Sequence, residues 1–400
     1  MKRRDFVLLW TGQAVSQLGS RTYGVAYMLW VLQESTPAVL GLAAMLTLIG
    51  FACAQLPAGW LADALDRRRV LVTTDLAAAT AAGAFLLMTA TDTFSAVAVF
   101  AAATVLGVCW AVRLPVELAA VPSVVGAEGT ASAVAVMQAR AYGAGLAGSL
   151  LAGALFAVAP WLPFLLDTAS YVVAAVATAA IRTPLSPEDR TAGRLADCLA
   201  DVRAGLAVFW AQRFVRGSAL LSAAGALVVG ATGFSVVVLL ARSGTPSPVT
   251  GIVLATGSAC ALIGALATPR LLRRCGERVL LIGAPAVTAV GVAALVVGGG
   301  PAAVAAAYGA VLLAQPVWDA VVTSRQLVLV DDAVRGRVQS AAGLLMAIPM
   351  ALAPALAGAA TEALGSPATL TGAAVLMAAV TVGAIGLVRP AAPVVTASAR

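Results

Sequence analysis

The chain has 400 residues, 61% of them hydrophobic and 11% charged, with a formal net charge of +7. Soluble domains carry about 25% charged residues, so an ordinary water-soluble globule is excluded. The absence of histidine and the scatter of the five cysteines, with no CxxC pair, leave no basis for a zinc site.

Continuous apolar runs fall near 6–32, 38–62, 70–90, 96–116, 132–158, 162–181, 217–241, 249–268, 279–299, 302–322, 338–361 and 368–388. Each is of the ~20-residue length that crosses a bilayer as a helix. They are too long and too continuous for barrel strands. The expected fold is an all-α membrane protein with twelve transmembrane helices. The first run follows a basic start but has no small-residue cleavage site, so it is read as a retained helix rather than a signal peptide.

The basic residues follow this division. Lys2, Arg3, Arg4, Arg67, Arg68, Arg69, Arg182, Arg190, Arg194, Arg203, Arg213, Arg216, Arg270, Arg273, Arg274, Arg278, Arg335, Arg337, Arg389 and Arg400 lie at a terminus or in a connection after an even-numbered span. Connections after odd-numbered spans carry Glu34, Asp92, Arg242 and Glu362. This positive-inside bias predicts that both termini are cytoplasmic, and it explains the basicity without a nucleic-acid partner. Cys198 and Cys275 then face a reducing compartment and the other cysteines lie in spans, so no disulfide is expected. The Ala, Gly, Val and Arg bias suggests a GC-rich bacterium, and hence a bacterial cytoplasmic membrane.

Span one carries a polar face. Gln13, Ser16, Gln17, Ser20, Arg21 and Gly24 fall at i, i+3, i+4, i+7, i+8 and i+11. Such a stripe cannot face lipid cheaply, so it lines a cavity or packs on another span. Arg21, near mid-span, needs water, a carboxylate, an anionic substrate group or backbone carbonyls. Tyr27 in span one, Trp110 in span four, Gln138 in span five and Tyr308, Gln315 and Trp318 in span ten complete the expected substrate-binding set. Aromatic rings with a few polar groups suit a bulky, amphipathic or cationic ligand. Asp75 in span three, Arg113 and Glu117 in span four and Asp319 in span ten are, with Arg21, the candidates for ion coupling. Asp75 and, in span six, Asp167 would be natural proton carriers if they faced the cavity; structural roles are favoured for both, such as Asp75 pairing with Arg113 or with the Arg67–Arg69 cluster. In span five, Gly145, Ser149 and Gly153 form a small-residue face suited to close helix packing. Pro349 and Pro354 in span eleven are candidate kinks.

The stretch 182–216 is the longest polar segment. It contains Leu195, Leu199, Val202, Leu206 and Phe209 at helical spacing, which predicts a cytoplasmic linker with an amphipathic helix. It divides the chain into a six-helix half over 1–181 and a second half with a short tail over 217–400. The turn Leu65-Asp66-Arg67-Arg68-Arg69 has a counterpart about 209 residues later in Arg274-Cys275-Gly276-Glu277-Arg278. Two equivalent six-helix halves are the parallel-repeat plan of some transporters.

With these residues in place the chain resembles the major facilitator superfamily over all twelve spans. It resembles in particular the bacterial branch of drug and siderophore exporters, with macrolide efflux proteins and enterobactin exporters. The superfamily motif G-x-x-x-D-R-x-G-R-R is matched by Gly59, Asp63, Arg67 and Arg68, with Ala64 and Asp66 departing from it. Gly12-Gln13 and Ser16-Gln17-Leu18-Gly19, Asp75, Asp167-Thr168-Ala169-Ser170-Tyr171 and Arg325-Gln326 with Asp331 and Arg335-Gly336-Arg337-Val338 resemble the branch, although Val330 stands where it usually has Pro. The antiporter signature of span five is reduced to Gly148-Ser149-Leu150-Leu151-Ala152-Gly153.

The resemblance implies that Gly59, Asp63, Arg67 and Arg68 gate the cytoplasmic face, and that span one lines the central cavity. There is no G-x-x-x-x-G-K-[ST] sequence for ATP and no nucleophile elbow. The expected function is therefore proton-coupled efflux of a hydrophobic small molecule, an antibiotic or secondary metabolite, by a monomer without cofactor or metal and in contact only with lipid, protons and substrate. Siderophore export is the alternative within transport. A non-transporting sensor on the same scaffold is the alternative outside it, and an enzyme has little support.

Overall fold

A computed structural model describes residues 2–125, 130–185, 212–329 and 332–387. The expected amphipathic helix of the linker, and Asp331 of the second-half motif, lie outside the described residues, as do the surroundings of Gly59 and the side chains of Asp63, Gln138, Arg335 and Arg337.

The described residues are all helical or in short connections. The first six helices are α1 (Lys2–Glu34), α2 (Pro37–Ala64), α3 (Arg67–Ala90), α4 (Ala96–Val125), α5 (Thr130–Val158) and α6 (Leu162–Ala179). After the linker comes α7 (Arg213–Arg242). The next helical stretch, Ser247–Val297, is broken at Gly276, whose φ of 74° and ψ of 159° belong to no helix. Glycine alone takes that backbone without a Cβ penalty. The stretch is therefore two helices, α8 over 247–275 and α9 over 277–297. The chain ends with α10 (Pro301–Leu329), α11 (Asp332–Leu364) and α12 (Ser366–Leu387). Among the described residues twelve helices result, one for each apolar run.

Local chemistry sets several boundaries. Pro37 opens α2 at a position that needs no amide donor. Asp66 caps α3: its Oδ1 accepts from the amides of Arg68 at 2.9 Å and Arg69 at 3.2 Å. The acidic departure from the superfamily motif is thus an N-cap. Several helices also run past the apolar segments. The apolar run of span four ends near 116, but α4 continues to Val125; that of span ten ends near 322, but α10 continues to Leu329.

Nine helical stretches among the described residues are apolar and long enough to cross a membrane, and Ser247–Val297 counts as one of them. The stripe on α1 lowers its hydropathy below that level. Large apolar side chains face outward all around the bundle: Val97, Leu266, Val290 and Val382 are each more than 60% exposed. Water would penalise that surface and lipid does not, so the protein is a multi-pass membrane protein.

Inside the first half, α1 packs on α5 and α6, α3 on α6 and α4, and α2 on α4; in the second, α9 packs on α10 and α12, and α7 on α11 and α12. An aromatic cluster fills the first half near the α1–α2 turn, with Phe85 stacked on Phe164 at 5.7 Å and met edge-on by Tyr23, Tyr27 and Trp30. The two halves meet through α2 against α11 and α5 against α8. At these crossings glycine is set against backbone: Gly41 on the Pro354 carbonyl, Gly358 on that of Pro37, Gly153 on that of Ser247, and Gly251 on that of Ser149. These contacts lie toward the end that carries the α1–α2 turn, which we call the sealed end. The Ala38 amide also donates across the halves to Glu362 Oε2 at 3.0 Å. The other end, with the start of α1 and the α2–α3 turn, is the basic end.

Candidate functional site

The polar face of α1 does not point to lipid. It meets charged residues from α3, α4 and α5 in the middle of the first half. Gln13 is fully buried; its Nε2 lies 3.5 Å from Asp75 Oδ2, and its Oε1 accepts from Arg113 Nε. The same Arg113 Nε stands 3.8 Å from Asp75 Oδ1. Asp75 thus meets Arg113, not the Arg67–Arg69 cluster. One turn further along α4, Glu117 pairs with Arg140 of α5 at 2.9 Å, and Arg140 Nε also donates to Gln17 Oε1 at 3.0 Å. Both pairs are almost dry: Asp75 is 0% exposed, Glu117 3% and Arg113 9%. Charges desolvated to this degree are tolerable only when paired.

A second chain of hydrogen bonds runs beside them. Trp110 Nε1 donates to the Tyr171 hydroxyl at 3.3 Å. The Tyr171 and Ser20 hydroxyls are 2.9 Å apart, and Ser20 Oγ donates to the Ser16 carbonyl at 2.9 Å. Arg113 lies over the Tyr171 ring, 5.7 Å from its centroid, a cation–π distance.

These groups enclose a pocket of ≈ 200 Å³ lined by Gln17, Ser20, Arg21, Trp110, Arg113, Leu114, Glu117 and Arg140. Arg21 is exposed there, and among the described residues it makes no hydrogen bond or ion pair. Its backbone is pressed against α5, where a Cβ on Gly148 would come within 3.1 Å of the Arg21 carbonyl carbon. The next turn of α1 is open, with nothing within 4 Å of Gly24. The reduced span-five signature therefore packs: Gly148 against α1, and Ser149 and Gly153 against α8.

Of the sequence candidates, Gln13, Gln17, Arg21, Trp110, Arg113, Glu117 and Asp75 converge on this cluster. Tyr27 does not. It is buried among Tyr23 and Phe85, and its hydroxyl donates to the Leu40 carbonyl at 3.4 Å. Tyr308 lies over Gly257, where a Cβ would come within 2.7 Å of its ring. In the second half Trp318 Nε1 donates to Ser222 Oγ at 2.8 Å, and Gln315 donates to both Asp319 oxygens at 3.1 and 3.2 Å. Asp319 lines a separate open cavity of ≈ 440 Å³ with Thr268, Pro269 and Pro316. Of the turn motif, Arg68 donates to the Thr183 carbonyl at 2.8 Å, a tie between α3 and the segment after α6.

Two participants are not among the sequence candidates. Arg140 escapes because its run also holds Gln138 and small residues; the usable signal was a charge inside a span, the same criterion that selects Arg21. Tyr171 was legible only as part of a motif, because a tyrosine in an apolar run carries no sign of what its hydroxyl meets.

Residues 9–354 match the family described as Major Facilitator Superfamily. A search of curated proteins returns no match. Among solved structures the chain is similar to the nucleoside transporter NupG, with a TM-score of 0.77 at 13% identity over 98% of this chain and 99% of that one. It is also similar to a bacterial homologue of the iron transporter ferroportin in an inward-facing state, with a TM-score of 0.72 at 16% identity over 94% and 98%. A bacterial homologue of the lysosomal transporter Spinster, inward-facing and unoccupied, gives 0.70 at 12% identity over 96% of each chain. A family match over most of the sequence, on twelve helices that superpose nearly end to end on these transporters, makes the chain a member of the Major Facilitator Superfamily.

Proposed function

We propose that the protein exports an amphipathic small molecule bearing an acidic group, an antibiotic or secondary metabolite, across a bacterial cytoplasmic membrane in exchange for protons. Arg21 carries this reading. In the pocket Arg113 is balanced by Asp75 and Arg140 by Glu117, and no carboxylate among the described residues pairs with Arg21. A single uncompensated cation at mid-span calls for an anion. Trp110 and Leu114 supply apolar lining beside it, so the complementary ligand is mainly apolar with one negative group. Catecholate siderophores fall within that class.

The positive-inside bias supports placing the basic end in the cytoplasm. In that orientation the sealed end faces outward. Rocking of the halves about the pocket would separate α2 from α11 and α5 from α8. The test is flux in proteoliposomes under an imposed pH gradient, with a lipophilic carboxylate dye, a catecholate siderophore, a macrolide and a lipophilic cation. Gradient-driven movement of the acidic probes, weakened about tenfold or more in Arg21→Ala and partly restored in Arg21→Lys, is expected. Preference for the cation, or indifference to Arg21→Ala, refutes the assignment.

A further inference from the structure

We propose that Asp167 on α6 is a proton-binding site of this transporter, holding a proton in the sealed state and exchanging it with the pocket through Ser20. The inference rests on the transport reading only for its purpose, not for its geometry.

Asp167 is 0% exposed, and neither carboxyl oxygen has a hydrogen-bond partner among the described residues. The donors around it are engaged elsewhere. Ser20 gives its proton to the Ser16 carbonyl, and Ser170 gives its own to the Asp167 backbone carbonyl at 2.7 Å. With Ser20 so directed, Tyr171 donates to Ser20 and Trp110 to Tyr171. The ionisable groups that face Asp167 are Arg113 from α4, Tyr23 from α1 and Tyr171 on its own helix. Among the described residues Arg113 is the cation that acts on both Asp75 and Asp167. It is engaged by Gln13 and stands 3.8 Å from Asp75.

One cation among two dry carboxyl groups leaves one of them to be neutral. Asp75 has the ion pair and the Gln13 amide, and Asp167 has neither. The proton therefore sits on Asp167. Ser20 connects it to solvent, because it lines the pocket and also lies within reach of the Asp167 side chain. Rotation of the Ser20 hydroxyl away from Ser16 lets Ser20 Oγ accept the Asp167 proton while its own passes to pocket water. The products are an Asp167 carboxylate, an unchanged serine and a hydronium ion. Arg113, already over the Tyr171 ring one turn from Asp167, is the group whose shift toward Asp167 would stabilise that carboxylate and favour release.

The experiment is infrared difference spectroscopy of the full chain in lipid nanodiscs, with transport measured in parallel. Wild type should show the carbonyl stretch of a buried protonated acid at neutral pH, absent in Asp167→Asn. Ser20→Ala should keep the band but slow its exchange in heavy water by roughly tenfold or more, which tests the site even if Asp167→Asn does not fold. Asp167→Asn should still exchange the carboxylate dye down its gradient while losing acceleration by a pH gradient. A wild type without the band, a band that survives in Asp167→Asn, or unchanged exchange in Ser20→Ala overturns the proposal. If no probe moves in wild type while the band behaves as expected, the proton site stands and the export reading fails.

Discussion

Substituting Gly251 tests whether the sealed end belongs to one conformational state. Gly251 lies on α8 where it crosses α5. A Cβ at this position would stand 2.6 Å from the Ser149 carbonyl oxygen and 3.2 Å from the Gly153 Cα, whereas ordinary contact begins at 3.4 Å. The opposing atoms are helix backbone, so no side-chain tip can swing aside. Gly251→Ala must part the helices by about 0.8 Å, the difference between 3.4 and 2.6 Å. Overpacking of this kind costs about 1–3 kcal/mol. The cost applies only while α5 and α8 are in contact, so the equilibrium should move toward the separated state by about 5–150-fold. Spin labels at Val158 and Ser243, in a chain whose five cysteines are otherwise replaced, report the separation at this end. A short-distance population in wild type should give way to a longer one in Gly251→Ala. Gly143→Ala on the exposed side of α5, where nothing lies within 4 Å, is the control. An unchanged distance distribution, or the same shift in the control, would refute the claim that this crossing distinguishes two states.

Three further outcomes follow from the same geometry. Glu362→Ala removes the acceptor of the Ala38 amide and should shift the same distances in the same direction, by less than Gly251→Ala. Arg140→Ala leaves Glu117 buried without its cation and should lower stability by about 3–5 kcal/mol, whereas the apolar pair Arg140→Met with Glu117→Leu should recover most of it; unfolding in detergent measures both. At the basic end Asp5 accepts from the Thr183 hydroxyl at 2.6 Å and amide at 2.8 Å. The hydroxyl bond, first among the causes, holds its carboxyl below the usual 3.8. A folded-state pKa below the unfolded one stabilises the fold fully above the unfolded value and not below the folded one. Asp5→Asn should therefore lower the unfolding midpoint at pH 7, and the gap from wild type should close as pH falls below about 4.

Part of this cluster is legible in the sequence. The stripe Gln13, Gln17 and Arg21 is a helical face because 3.6-residue periodicity is a local property, and a polar face among apolar neighbours has to be buried. The charges of Asp75, Arg113 and Glu117 stood out for the same reason. Tyr27 was drawn to the cavity by its place on α1, yet it faces Phe85, because which neighbour fills a given face depends on the rotation of α1 against α3 and α6. Gly276 is another case: one glycine in a polar turn is unremarkable in sequence, but its positive φ is what separates α8 from α9.

The number of helices, their approximate ends and the basic side of the bundle were determined by the sequence alone, because bilayer length, hydropathy and charge asymmetry act residue by residue. Only the tertiary structure decided that Arg113 serves Asp75 and that Arg140 neutralises Glu117, and that among the described residues Arg21 finds no partner and the Asp167 carboxyl no hydrogen-bond donor. Those facts are balances among four or five helices distant in sequence. Their physical reason is desolvation, which makes each buried charge answerable to whichever groups packing happens to bring within a few ångströms.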